Sequence, residues 1–146
     1  MNRQQKFPDT STFHYYNANP KNKLAGDCVI RAICTALEEP YEKVYRELLE
    51  VSLKCGYVLN EKKCYERYLK EKGWVKHEQP RKWDNTKFTG EEWCYEVKSV
   101  VYDRRTSWDR IIAHIGGHHT VAIIKGRVWD TWDSTDGCIG NYWTKG

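Results

Sequence analysis

The chain predicts an α+β fold, and three observations carry that prediction. Apolar residues recur at helical spacing between residues 27 and 73, shorter strand-like runs replace them after residue 110, and glycine-bearing pairs separate those runs. Helices first and an antiparallel β-meander afterwards is an α+β order. At 146 residues the chain fits one domain spanning 1–146. Within it, residues 1–26 read as an extended N-terminal segment, 27–73 as the helical part with a central helix, 74–98 as a loop with a short helix, and 99–146 as the antiparallel sheet.

The elements follow in order. Phe13-His14-Tyr15-Tyr16 reads as a short strand or packing arm, ended by Asn17-Ala18-Asn19-Pro20. Asp27 is a good N-cap residue, which makes Cys28 the first residue of a helix to Leu37, with Val29, Ile30, Ile33, Ala36 and Leu37 apolar. Pro40 opens a second helix carrying Val44, Leu48, Leu49 and Val51, and Gly56 stops it. Asn60 caps a third helix to about Lys72, with Cys64, Tyr65, Tyr68 and Leu69 inward and Gly73 at its C-terminal end. Residues 75–90 read as a polar surface loop, after which Thr89 caps a short helix beginning Gly90-Glu91-Glu92-Trp93. Three strand-like runs, 110–115, 119–124 and 127–132, are joined by turns at Gly116-Gly117 and Lys125-Gly126, and residues 136–143 add a final strand.

Bulk properties narrow the function classes. A net charge of +4 from 24 basic and 20 acidic residues does not call for a nucleic-acid partner. No apolar run reaches the length of a membrane span, and Met1 to Pro8 lacks the apolar core of a signal peptide. Six cysteines without a C-x-x-C pair then read as free thiols in a reducing compartment, so the expected location is cytoplasmic. Cys34, Cys55 and Cys64 lie in helical patterns and read as structural thiols.

Cys28 differs from the other five. At a helix start, unpaired backbone N–H groups and the positive end of the helix dipole favour the thiolate, which is the nucleophilic form. The last third supplies a base in Gly117-His118-His119-Thr120-Val121-Ala122 and a carboxylate in Trp129-Asp130-Thr131-Trp132-Asp133-Ser134. Cysteine, histidine and carboxylate are the nucleophile, base and orienter that thiol catalysis requires. A tight turn at Lys125-Gly126 sets His118 opposite Asp133 and puts His119 on the same face as Asp130, whereas one extra residue sets His119 opposite Asp133.

These motifs resemble those of a papain-like cysteine peptidase, with the nucleophile at the start of a central helix and the other two groups on successive strands. His119-Thr120-Val121-Ala122 is similar to that family's histidine strand, and Asp133-Ser134 to its Asn-Ser or Asp-Ser. The resemblance therefore implies a Cys28–His119–Asp133 triad, with His118 and Asp130 as alternates. Gly26-Asp27-Cys28-Val29-Ile30-Arg31-Ala32 also resembles the cysteine box of ovarian-tumour-type deubiquitinases, but Ala25 stands where that box has an aspartate. Across nearly the whole chain, the pattern is similar to small bacterial and phage proteins with a Gly-Asp-Cys box, which brings a fold expectation and no substrate. Papain-like enzymes draw an oxyanion donor from just before the nucleophile; Asn22 is the candidate here, with Asn19 behind it and the Cys28 N–H as a backbone alternative.

The resemblance implies a hydrolase, a peptidase or isopeptidase acting on a protein or peptide, with no cofactor. Acyl transfer or deamidation by the same trio, or a non-catalytic inhibitor or adaptor, are the alternatives. His114, His118 and His119 with Asp130, Asp133 and Cys138 match no standard metal spacing, so no metal is expected. Arg31 reads as an ordinary helix-surface or buried ion-pair residue. The basic stretch from Lys76 to Lys87 reads as a solvated loop or a gate over the cleft.

Overall fold

The computed structural model describes residues 1–102 and 106–146, and it shows mixed α and β content. The helices are α1 (Arg3–Lys6), α2 (Cys28–Leu37), α3 (Tyr41–Cys55), α4 (Lys62–Glu71) and α5 (Gly90–Tyr102). The strands are β1 (Phe13–Tyr15), β2 (Trp74–His77), β3 (Arg110–Ile115), β4 (His119–Ile124), β5 (Arg127–Asp130) and β6 (Ile139–Lys145). They form one six-stranded sheet in the order β1-β5-β4-β3-β6-β2.

The expected antiparallel meander is present as β3-β4-β5, but the sheet is larger and mixed. At one edge β1 pairs parallel with β5, so the N-terminal segment belongs to the sheet. At the other edge β2, in a stretch read as loop, pairs antiparallel with β6. An edge strand with Val75 exposed and Lys76 outward shows little apolar alternation, which is why its sequence reads as loop. Helix α5 runs on to Tyr102 instead of ending short, burying Trp93, Cys94 and Val97 on one face. A reciprocal capping box starts it: the Thr89 N–H donates to Glu92 Oε1 at 2.9 Å and the Glu92 N–H to Thr89 Oγ1 at 3.2 Å. The segment expected to open the sheet at residue 99 is thus helical at first, and 103–105 lie outside the described residues. Pro40 stands at the N-cap of α3, and Glu61, not Asn60, at that of α4.

Alternation along the strands divides the core in two. Ile112, Ala122, Ile124 and Trp143 pack with α2, α3 and α4, while Ile111, Ala113, Ile115, Val121 and Ile123 pack with α5. Helix α2 is buried from Val29 to Cys34, which fixes its first residue firmly against the sheet.

The β4–β5 hairpin fixes what lies beside that residue. Its turn has two residues, Lys125 (φ 49°) and Gly126 (φ 75°), both left-handed, as the tight turn matching strand twist requires. Ile124 then pairs with Arg127 and Ala122 with Trp129, leaving His119 and Asp130 on one face at the same end of the hairpin. Among the described residues no helix is long and apolar enough to cross a membrane.

Gly126→Ala tests this hairpin, because an added Cβ would meet the Lys98 side chain and stand 3.0 Å from the Cys94 carbonyl at a left-handed φ. The expected loss is about 1–2 kcal/mol in urea unfolding; an unchanged midpoint would contradict the role given to this turn.

Candidate active site

Cys28 is the first residue of α2 and is half-buried. Asp27 occupies the N-cap position, but its side chain makes no capping hydrogen bond. Its carboxylate instead accepts from Arg31 Nε at 2.8 Å, Asn19 Nδ2 at 3.0 Å and the Tyr41 hydroxyl at 2.8 Å. The first-turn amides of α2 are therefore not taken by the residue expected to cap them. Burial opposes ionisation of the Cys28 thiol, yet hydrogen bonds from the His119 side chain and the Thr120 backbone, with the positive charges of His119 and Arg31, outweigh it. The thiol is held below its ordinary value.

His119 opens β4 and Asp130 closes β5. His119 Nε2 lies 2.5 Å from Asp130 Oδ2, which leaves Nδ1 as the ring nitrogen for the sulfur. Asp130 is 2% exposed and is held on three sides: Arg31 Nη1 donates to its Oδ1 at 2.6 Å and the Thr131 N–H to the same oxygen at 2.7 Å. Burial pulls the His119 pKa down, but the hydrogen bonds to Asp130 and Cys28 and their negative charge raise it to about 9. Burial likewise opposes the Asp130 charge, and His119 and Arg31 together keep its carboxyl below the usual range. The Trp132 ring covers the imidazole, centroid to centroid 4.9 Å.

Geometry thus assembles Cys28, His119 and Asp130, and it departs from the expected Asp133. Asp133 Oδ1 accepts from the Thr135 N–H at 3.0 Å and the Thr135 hydroxyl at 2.6 Å, closing a local turn beyond the strand. His118 is excluded because the β3–β4 connection is one residue longer than the Gly116-Gly117 pair. Ile115 pairs with His119, so His118 falls in the turn and is exposed. Asn22 does not line the Cys28 cavity. It is an exposed turn residue at φ 52° whose Oδ1 accepts from Asn17 Nδ2 at 3.3 Å, and Asn19 is occupied with Asp27. Of the sequence candidates for an oxyanion donor, Cys28 lines the cavity and Asn22 and Asn19 do not. His114 lies against Gly140, and burial lowers its pKa. Among the described residues no group of three or more His, Cys, Asp or Glu side chains is placed to hold a metal.

Arg31 and Arg3 carry more of the site than their sequence context indicates. Arg31 joins Asp27 to Asp130, and the Asp27–Arg31 spacing of one helical turn is the signal that would have found half of that link. Arg3 Nε donates to the Thr131 carbonyl at 2.7 Å, bringing α1 to the site from the far end of the chain.

Two cavities share His119 and Trp132 in their walls. One of about 280 Å³ is lined by Cys28, Arg3, Lys23, Arg31, His119 and Trp132, among others. The second, about 400 Å³, touches His119 and Trp132 but not Cys28, and reaches Gly116, His118, Ser134 and Asp136. The Cys28 sulfur, beside the His119 ring, is thus open to a ligand in the first cavity. It can attack a carbonyl carbon, and the ring can deliver a proton to whatever departs.

Asp130→Asn is expected to move the His119 titration from about 9 down toward the ordinary 6.5, while Asp133→Asn leaves it in place, as read from the imidazole proton NMR signals. Because the folded value is the raised one, this group's contribution to stability is complete below the unfolded value of 6.5 and is lost as pH rises through about 9. That loss should be absent from Asp130→Asn.

No family model, curated protein or solved structure matches this chain.

Proposed function

We propose that the protein is a cysteine-dependent hydrolase, a peptidase or isopeptidase with Cys28, His119 and Asp130 as its triad. The observation that carries this reading is the Asp130 contact to His119 Nε2, which commits one ring nitrogen of the same imidazole that holds the Cys28 thiol below its ordinary value. The helix-start cysteine, strand-start histidine and next-strand carboxylate also support a papain-like relationship. The acid here closes its strand instead of preceding a serine.

The chemistry follows from the pairing. The Cys28 thiolate attacks the carbonyl carbon, forming a C–S bond while the carbonyl π electrons move onto oxygen. The Cys28 N–H at the start of α2 stabilises that oxyanion. The C–N bond then breaks, its electron pair going to nitrogen, which takes the proton from His119. Water next adds to the thioester as neutral His119 removes its proton, and the sulfur leaves as thiolate with the product acid. Asp130 holds the ring in the tautomer both steps use and stabilises the imidazolium between them.

Iodoacetamide with peptide mapping tests the reading. Cys28 is expected to alkylate ahead of the other five cysteines, including exposed Cys138, with a rate rising through the lowered thiol pKa. His119→Ala should remove that preference. On a cleavable target, Cys28→Ala abolishes turnover and His119→Ala slows it by about 10²-fold or more. Turnover falls as pH passes about 9, where His119 loses the proton the leaving group needs. Labelling governed by exposure alone, or full biological activity in Cys28→Ala, would overturn the proposal.

A further inference from the structure

The Cys28 cavity is lined by Arg3, Lys23 and Arg31 and, among the described residues, by no aspartate or glutamate. In the layer beneath it the Cys28 thiolate, Asp27 and Asp130 face Arg31 and the His119 imidazolium, which leaves one negative charge. Arg3 and Lys23 turn that into a positive excess at the cavity wall, and among the described residues neither forms an ion pair.

Arg3 is also held in place. The capping box between Asn2 and Gln5 starts α1, Nε donates to the Thr131 carbonyl, and the guanidinium lies 5.4 Å from the centroid of the Phe7 ring. Among the described residues its two Nη groups have no protein acceptor, so a fixed guanidinium keeps donors free at the cavity wall. Lys23 sits in a loop tied down by its own backbone, its N–H donating to Asn19 Oδ1 and its carbonyl accepting from Asn17 Nδ2.

The two cavities divide the substrate by chemistry. The acyl part stays on the sulfur, so it occupies the cavity that Cys28 lines. The leaving group takes the His119 proton, so it lies in the cavity that touches His119 without Cys28. We propose that the substrate is a peptide bearing an aspartate or glutamate on the acyl side of the scissile bond, its carboxylate bound by Arg3 and Lys23. This rests on the thiol-hydrolase reading of the same site.

Paired peptidyl chloromethyl ketones test it without a known target, one with glutamate and one with glutamine next to the reactive ketone. In each the thiolate attacks the methylene carbon, the S–C bond forms, and chloride leaves with the electron pair of the C–Cl bond. The glutamate reagent should modify Cys28 about tenfold faster, the scale of two partly exposed charge pairs acting together. That ratio should shrink toward one in Arg3→Gln/Lys23→Gln, and in the wild-type protein it should shrink with added salt, a measurement that needs no variant. Equal rates in the wild type, or a ratio indifferent to both salt and the double variant, would overturn the inference while leaving the hydrolase reading standing. If neither reagent prefers Cys28 to the other cysteines, the hydrolase reading falls, and this inference with it.

Discussion

Arg31 between two buried carboxylates is the interaction on which the rest of the site depends. Its guanidinium is 10% exposed and bridges Asp27 Oδ1 at 2.8 Å to Asp130 Oδ1 at 2.6 Å, so one side chain ties the start of α2 to the end of β5. Those two places carry the nucleophile and the orienting carboxylate. A carboxylate as buried as Asp130 is costly unless partnered, and an arginine keeps its charge at any working pH while offering several donors in a fixed plane. With Arg31 and the Thr131 N–H on Oδ1, Oδ2 is left for His119.

The same link explains the free helix start. An aspartate before a helix ordinarily folds its side chain back onto the first-turn amides. Here the Asp27 carboxylate is turned away to Arg31, Asn19 and Tyr41, and it does not cap the positive end of α2. The site thereby keeps its backbone donors. Hydrogen-bonding support for the thiolate comes from His119 and Thr120, outside the helix, and the Arg31 charge one turn along α2 adds to it.

Much of this was legible in the sequence where local chemistry decides structure. The start of α2 at Cys28, the buried faces of α3 and α4, and the two-residue turn at Lys125-Gly126 follow from caps, periodicity and turn residues, and that turn already puts His119 and Asp130 on one face. What was not legible depends on distant partners. The parallel pairing of β1 with β5, the edge strand β2 and the reach of Arg3 to Thr131 leave no local signal. Asp133 is like the Asp of an Asp-Ser pair in sequence, but its carboxylate closes a turn with Thr135 while His119 meets Asp130. Asn22 precedes the cysteine closely in sequence, but it sits in a left-handed turn and does not line the Cys28 cavity, whereas the adjacent Lys23 does.

The central claim is that Cys28 and His119 form a thiolate–imidazolium pair held by Asp130. The most direct test is the ultraviolet thiolate absorbance of Cys28 followed against pH, taken as the difference from Cys28→Ala and repeated in His119→Ala. Ionisation is expected below the ordinary thiol value of 9.0 with His119 present, and at a higher pH without it, because burial is then opposed only by the Thr120 backbone and the Arg31 charge. The same midpoint in both proteins would contradict it.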